Sequence, residues 1–295
     1  MTLQDRIKSL PLWRGAVDIS PLEGGITNRN FLVLDGVHKA VVRVGHDIPV
    51  HQIMRFNELA ASTAAHAAGV SPAVIYHQDD MLVIDYIEGR TLAAADFADD
   101  AILDQAIALV ARAHRDIPAH LRGPALMFWV FHVIRDYART LSASNSRMSA
   151  RLPEFLELAS ELERVQLPQG IVFAHNDLIP ANFIEADGRL WLIDFEYAAF
   201  STPAFDLANV ASMASLAPAE DEMLLAAYHG REPDAALRRS HAAMRVAALL
   251  RESLWSMVSE LHLNAPGANY VRYTAETLAR FEAELEAYRA RFGTG

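Results

Sequence analysis

Between Ile171 and Tyr197 the chain reads Ile171-Val-Phe-Ala-His-Asn-Asp-Leu-Ile-Pro-Ala-Asn-Phe-Ile184 and, after a short gap, Leu190-Trp-Leu-Ile-Asp-Phe-Glu-Tyr197. Apolar runs (Ile171 to Phe173, Phe183-Ile184 and Leu190 to Ile193) flank polar loops, the pattern of short strands joined by turns. The runs anchor the loops. The loops carry a carboxylate at Asp177, an amide five residues on at Asn182 and a second carboxylate at Asp194. Aspartate and asparagine singly are common in turns, but two carboxylates and an amide held between apolar strands are a constellation.

Phosphoryl transfer from a nucleotide needs such a constellation: a carboxylate to orient an acceptor hydroxyl, and oxygen ligands to hold magnesium on the phosphates. The order His-x-Asp-x4-Asn and then Ile-Asp-Phe is the one kinase-like folds use. Asp177 is the expected base. Asn182 and Asp194 are the expected Mg2+ ligands, with Glu196 within reach of the same metal. His175, one residue removed from Asp177, is expected to fix loop carbonyls.

Composition bounds the rest. A chain of 295 residues with 52% hydrophobic residues can bury a core divided into two lobes. Its 37 acidic and 26 basic residues leave a net charge of −11. That argues against nucleic acid or an anionic membrane as partner and suits a small cationic substrate. There are no cysteines, so disulfides, thiolate catalysis and thiolate metal sites are excluded. The N-terminus has no apolar signal core and no apolar run approaches membrane-spanning length, so a cytoplasmic protein without membrane insertion is expected.

Three short antiparallel strands are predicted at Ile19 to Glu23, Asn30 to Leu34 and Ala40 to Val44, the last two joined at Asp35-Gly36. A helix over 51–68 follows, stopped by Gly69. Two more strands lie at Ala73 to Tyr76 and Met81 to Ile87. From about residue 91 the pattern is helical, interrupted only at 171–197. The expected fold class is therefore α+β and bilobal: a small antiparallel-sheet N-lobe (1–88) and a larger, mainly helical C-lobe (89–295).

The small lobe carries the nucleotide signals. Gly24 and Gly25 would let backbone approach phosphates, and Thr27 and Asn28 add hydrogen bonds. Arg43, inside an apolar strand, reads as the cation that pairs with phosphates and with Glu58 on the next helix. Asp85 to Ile87 would then be the strand end whose backbone meets adenine.

Several segments together resemble the choline/ethanolamine kinase family, within the wider aminoglycoside-phosphotransferase and protein-kinase-like fold. They are Phe173-Ala-His-Asn-Asp177, Leu192-Ile-Asp-Phe-Glu-Tyr-Ala198, Phe205-Asp-Leu-Ala-Asn209, Gly24-Gly-Ile-Thr-Asn28, Ile87-Glu-Gly-Arg-Thr-Leu92 and Arg251-Glu-Ser-Leu-Trp255. The resemblance implies an ATP- and Mg2+-dependent small-molecule kinase. It assigns Asp177 as base, Asn182 and Asp194 as metal ligands and Arg43 with Glu58 as the phosphate clamp. Asp206 would brace the catalytic loop.

For the acceptor, Tyr197 follows the metal-binding segment. Glu252 and Trp255 share a face of a helix predicted over 241–263, giving a carboxylate and aromatic rings for an ammonium group. Tyr270 and Tyr273 are expected to precede a C-terminal helix with a packing stripe at Leu278, Phe281, Leu285 and Phe292. Eukaryotic choline kinases place a glutamate and a further tryptophan where this chain has Met213 and Glu252. The expected substrate is therefore a small amine or quaternary-ammonium alcohol, phosphorylated in line. A kinase for an aminoglycoside, thiamine or a hydroxylated amino acid, and a catalytically silent nucleotide-binding protein, are the alternatives.

Overall fold

The computed structural model describes residues 1–22, 27–265 and 267–293. After a short helix, α1 (Leu3–Lys8), come β1 (Asp18–Leu22), β2 (Arg29–Asp35) and β3 (His38–Val44). Helix α2 (Arg55–Ala67) leads into β4 (Val74–Gln78) and β5 (Met81–Asp85). These five strands form one antiparallel sheet in the order β1-β2-β3-β5-β4. Alternation decides its faces: Phe31, Val33, Ala40, Val42, Met81 and Val83 turn to one side and pack with Ile7 and Leu10 of the N-terminal segment.

The chain leaves the sheet past Gly89, where an added Cβ would come within 2.5 Å of the Glu185 carbonyl. Only glycine allows that approach, and it lets β6 (Arg90–Thr91) pair with a strand of the large lobe. Helices α3 (Asp100–His120), α4 (Val130–Ala143) and α5 (Leu152–Arg164) follow. Then come β7 (Val172–Ala174), β8 (Phe183–Ala186), β9 (Arg189–Leu192) and β10 (Ala199–Ser201). The β8–β9 turn places Asp187 and Gly188 both at positive φ, the Asp-Gly arrangement of a tight hairpin. Helices α6 (Pro203–Met213), α7 (Pro218–His229), α8 (Ala235–His262) and α9 (Tyr270–Phe292) complete the large lobe.

Two cores hold this lobe. One joins α4, α5, α8 and α9 through Phe131, Tyr137, Phe155 and Phe281; the other joins α3 and α6 to the strands through Phe97, Phe173, Phe183 and Phe195. Each large apolar side chain so buried contributes about 1.5–3 kcal/mol.

Four sequence expectations are corrected. Helix α2 starts at Arg55 rather than near 51, because Pro49–His51 is a 3-10 turn and Ile53 plugs into the large-lobe core. Helix α8 begins at Ala235, capped by the Asp234 side chain accepting from the Leu237 amide (2.8 Å). Tyr270 and Tyr273 lie in the first turn of α9, not ahead of it. The interruption of the helical lobe runs on to Ser201, where β10 pairs with β7, and 121–129 is also non-helical: the Phe128 amide donates to the Phe200 carbonyl (2.8 Å).

Candidate active site

The loop after β7 turns sharply at Asn176, which is fully buried with φ +62°. That conformation is tolerated by asparagine and fixed from three sides here. The His175 and Asn176 amides donate to the two carboxylate oxygens of Asp206 (2.8 and 2.7 Å), and the Asn176 side-chain amide donates to the Tyr197 carbonyl (3.0 Å). His175 Nε2 donates to the Ile193 carbonyl (2.9 Å), tying this loop to the segment that ends in Asp194. His114 of α3 supports Asp206 in turn, with Nε2 2.8 Å from Oδ2, and its other nitrogen meets the Tyr228 hydroxyl (2.8 Å).

Asp177 follows, half-buried at the cleft floor. Burial pushes its pKa well above the ordinary carboxylate range. Arg251 opposes that shift, while Glu252, Asp194 and Glu196 add to it. The Asn182 amide nitrogen donates to the Asp177 carbonyl (2.8 Å) and carboxylate (3.3 Å). With its nitrogen committed, the amide oxygen is the atom Asn182 offers to a cation. Asp194 sits at φ +68° just past β9, and the Ile193 amide donates to the Asn182 carbonyl (3.1 Å), so the two candidate ligands are held together.

Oxygens of Glu58, Asp194 and Glu196 lie within 4.8 Å of one another, a hard anionic donor set that suits a divalent cation such as magnesium. Two arginines thread it. Arg43 donates from Nε to Glu58 (3.0 Å) and from a terminal nitrogen to Asp194 (2.5 Å). Arg55 donates to the other Glu58 oxygen (2.5 Å) and to Glu196 (3.3 Å). Glu196 also accepts from the Thr27 hydroxyl and the Asn28 amide, both at 2.8 Å. Burial, then Asp194, raises its pKa against the pull of Arg43. Helix α2 is locked to the large lobe nearby: the Asn57 amide donates to the Ala198 carbonyl (2.7 Å), and its oxygen accepts from the Leu126 amide (3.2 Å).

Thr27, Arg43, Asp177, Asn182, Asp194 and Glu196 border one cavity of about 510 Å³, with Glu58, Arg55 and Asn28 behind them. Its small-lobe end is walled by Val41, Ile84, Asp85, Tyr86 and Ile87, an apolar slot with strand-end backbone beside it. Its far end is walled by Tyr197, Arg251, Glu252, Trp255 and Tyr273. There the Trp255 indole N–H donates to the Tyr197 hydroxyl (2.8 Å), and the Tyr273 hydroxyl donates to Glu252 (2.6 Å).

The structure thus brings together Thr27, Asn28, Arg43, Glu58, Asp85, Ile87, Asp177, Asn182, Asp194, Glu196, Tyr197, Glu252 and Trp255, with His175 and Asp206 behind them. Gly24 and Gly25 lie outside the described residues. Met213 is not among the cavity residues and packs beside Arg280. Sequence reasoning missed Arg55, His114 and Arg251, and placed Tyr273 only ahead of the C-terminal helix. A signal for Arg251 existed: Arg251-Glu252 is a charged pair inside an otherwise uncharged, mostly apolar helical run, Ala247 to Trp255.

A small antiparallel sheet joined to a helical lobe, with these carboxylates and arginines at the junction, defines a phosphotransferase of kinase-like fold. The profile of the phosphotransferase enzyme family (APH) matches residues 18–246, and the chain belongs to that family. It is similar to Protein LicA of Haemophilus influenzae, 25% identical over 267 residues that span 86% of this chain and 76% of that protein. It is similar also to a probable ethanolamine kinase of Arabidopsis thaliana, 26% identical over 293 residues spanning 86% and 77%. Among solved structures, a choline/ethanolamine kinase family protein from Mesorhizobium loti superposes with a TM-score of 0.79 at 25% identity, covering 97% of this chain and 95% of that one.

Proposed function

We propose that the protein transfers the γ-phosphoryl group of ATP, with magnesium, to the hydroxyl of a small amine alcohol. The observation that carries this reading is the single cavity in which Asp177 stands between the Asn182–Asp194–Arg43 cluster and the Glu252–Trp255–Tyr273 corner. One end suits a nucleotide, the other an ammonium group beside a carboxylate. The named relatives, an ethanolamine kinase and a choline/ethanolamine kinase family protein, support the same acceptor class.

Asp177 orients the acceptor hydroxyl and takes up its proton as the new O–P bond forms and the bond to the bridging oxygen of ADP breaks. Its raised pKa favours that uptake. Asn182 keeps the carboxylate aimed through its amide nitrogen. Magnesium, when bound with nucleotide, neutralises phosphate charge; the Asn182 oxygen, Asp194 and Glu196 would hold it. Arg43, fixed by Glu58, lies where phosphate oxygens would need a cation. The small-lobe slot at Asp85 to Ile87 would take adenine against backbone.

A coupled ADP-release screen with ethanolamine, choline, thiamine and aminoglycosides tests the reading, with Asp177→Asn as control. Turnover with an amine alcohol that the variant lacks is expected. ADP release only with an aminoglycoside or thiamine, or with none of the panel, would overturn it.

A further inference from the structure

The acceptor end of the cavity contains a cation of the protein's own. Arg251 projects from a stretch of α8 whose neighbours Leu249, Leu250 and Leu254 are buried, and is itself only 2% exposed. Its guanidinium carbon lies 4.6 Å from the centroid of the Tyr197 ring, and one terminal nitrogen donates to Glu252 (3.0 Å). Its Nε and other terminal nitrogen have no hydrogen-bond partner among the described residues, so this cation rests on ring faces, that of Tyr197 first and that of Phe128 farther off at 6.0 Å. Trp255 is partly covered as well: the His51 imidazole lies 5.1 Å from it, tilted by 34°.

A quaternary ammonium has no N–H and is recognised by uncovered aromatic faces. Here the Tyr197 face is taken by a like charge and one side of Trp255 by His51. What remains is hydrogen-bonding capacity. Each Glu252 oxygen has one partner, Tyr273 or Arg251, and a carboxylate has about four lone-pair sites. A primary ammonium brings three N–H donors to that carboxylate.

We infer that Arg251 is a specificity-determining residue, and that by occupying the Tyr197 face it sets this site for primary-amine alcohols against quaternary-ammonium ones. The inference rests on the functional reading above and goes beyond it, since the family resemblance covers both acceptors.

The test uses the full-length protein and the kcat/KM ratio for ethanolamine over choline. The wild type is expected to favour ethanolamine by at least about tenfold, the scale of one lost cation–π contact. Arg251→Gln, which keeps an amide to donate to Glu252 but removes the charge, is expected to shrink that ratio by about tenfold, mainly through a lower KM for choline. A merely structural role would lower both activities and leave the ratio alone, which would overturn the inference. Should the variant not fold, competitive inhibition of the wild type by methylammonium and tetramethylammonium decides: stronger inhibition by tetramethylammonium overturns the inference, stronger inhibition by methylammonium supports it. Phosphorylation of neither alcohol overturns the functional reading and the inference with it. Phosphorylation of both with choline equal or preferred overturns the inference alone.

Discussion

Asp206→Asn isolates the support beneath the catalytic loop. Asp206 is fully buried and accepts three hydrogen bonds: one on Oδ1 from the Asn176 amide (2.7 Å), and two on Oδ2 from the His175 amide and His114 Nε2 (2.8 Å each). An asparagine keeps one oxygen. If that oxygen takes the Oδ2 place, the new NH2 faces the Asn176 amide, donor against donor. If it takes the Oδ1 place, the His175 amide and His114 are both opposed. The cheaper arrangement leaves one buried backbone N–H unpaired, at about 1–3 kcal/mol, and turns the surviving charge-assisted bonds into neutral ones, at roughly 1 kcal/mol each. The sum is about 3–5 kcal/mol, a large part of a stability of about 5–15 kcal/mol. Urea unfolding measures it: the midpoint should fall with the slope unchanged. The loop also loses one of the three bonds that hold Asn176 at positive φ, so kcat should drop more steeply than the affinity for Mg-ATP. A loss below about 1 kcal/mol, or an unchanged kcat, would refute the reasoning.

Two further changes follow from the same geometry. His51 sits neutral between the Tyr137 and Ser259 hydroxyls, and burial, followed by the nearby Arg251 charge, lowers its pKa from 6.5 to about 3. The unfolded chain takes up a proton below pH 6.5 that the folded chain refuses, so stability falls as pH falls; the loss reaches about 2 kcal/mol near pH 5. His51→Gln should flatten the curve over that window in thermal unfolding, and parallel curves would count against it. Gly89→Ala would push a Cβ to 2.5 Å from the Glu185 carbonyl, and should cost roughly 1–3 kcal/mol with a matching drop in Tm. An unchanged Tm would mean the lobe junction yields more easily than its packing implies.

The parts legible in the sequence are those whose geometry is local. The x4 spacing between Asp177 and Asn182 is one turn of backbone, and the apolar runs around it can only be short strands, so the loop could be read without knowing its neighbours. The strand alternation from Phe31 to Val83 was legible for the same reason. Tyr273 was not, because its place depends on α9 folding back on α8, which no local pattern encodes; the Arg251-Glu252 pair marked a buried charge but not the Tyr197 ring it meets. Helix α2 hid Arg55 and Asn57: its first turn looks like an ordinary charged surface helix, and becomes a buried polar face only once the large lobe packs against it. Met213 stands where the resembled family has a glutamate, and it lies away from the cavity. The turn of α6 it occupies directs it toward Arg280.

The most direct measurement of the central claim is 31P NMR of wild-type protein and Asp177→Asn with Mg-ATP and ethanolamine, with nucleotide affinity measured alongside. The account predicts an O-phosphorylated amine alcohol and ADP from the wild type. The variant should bind Mg-ATP with similar affinity and make at least about a hundredfold less product, the scale of a positioned base. Product formation by the variant at the wild-type rate, or no product from a wild type that binds Mg-ATP, would contradict it.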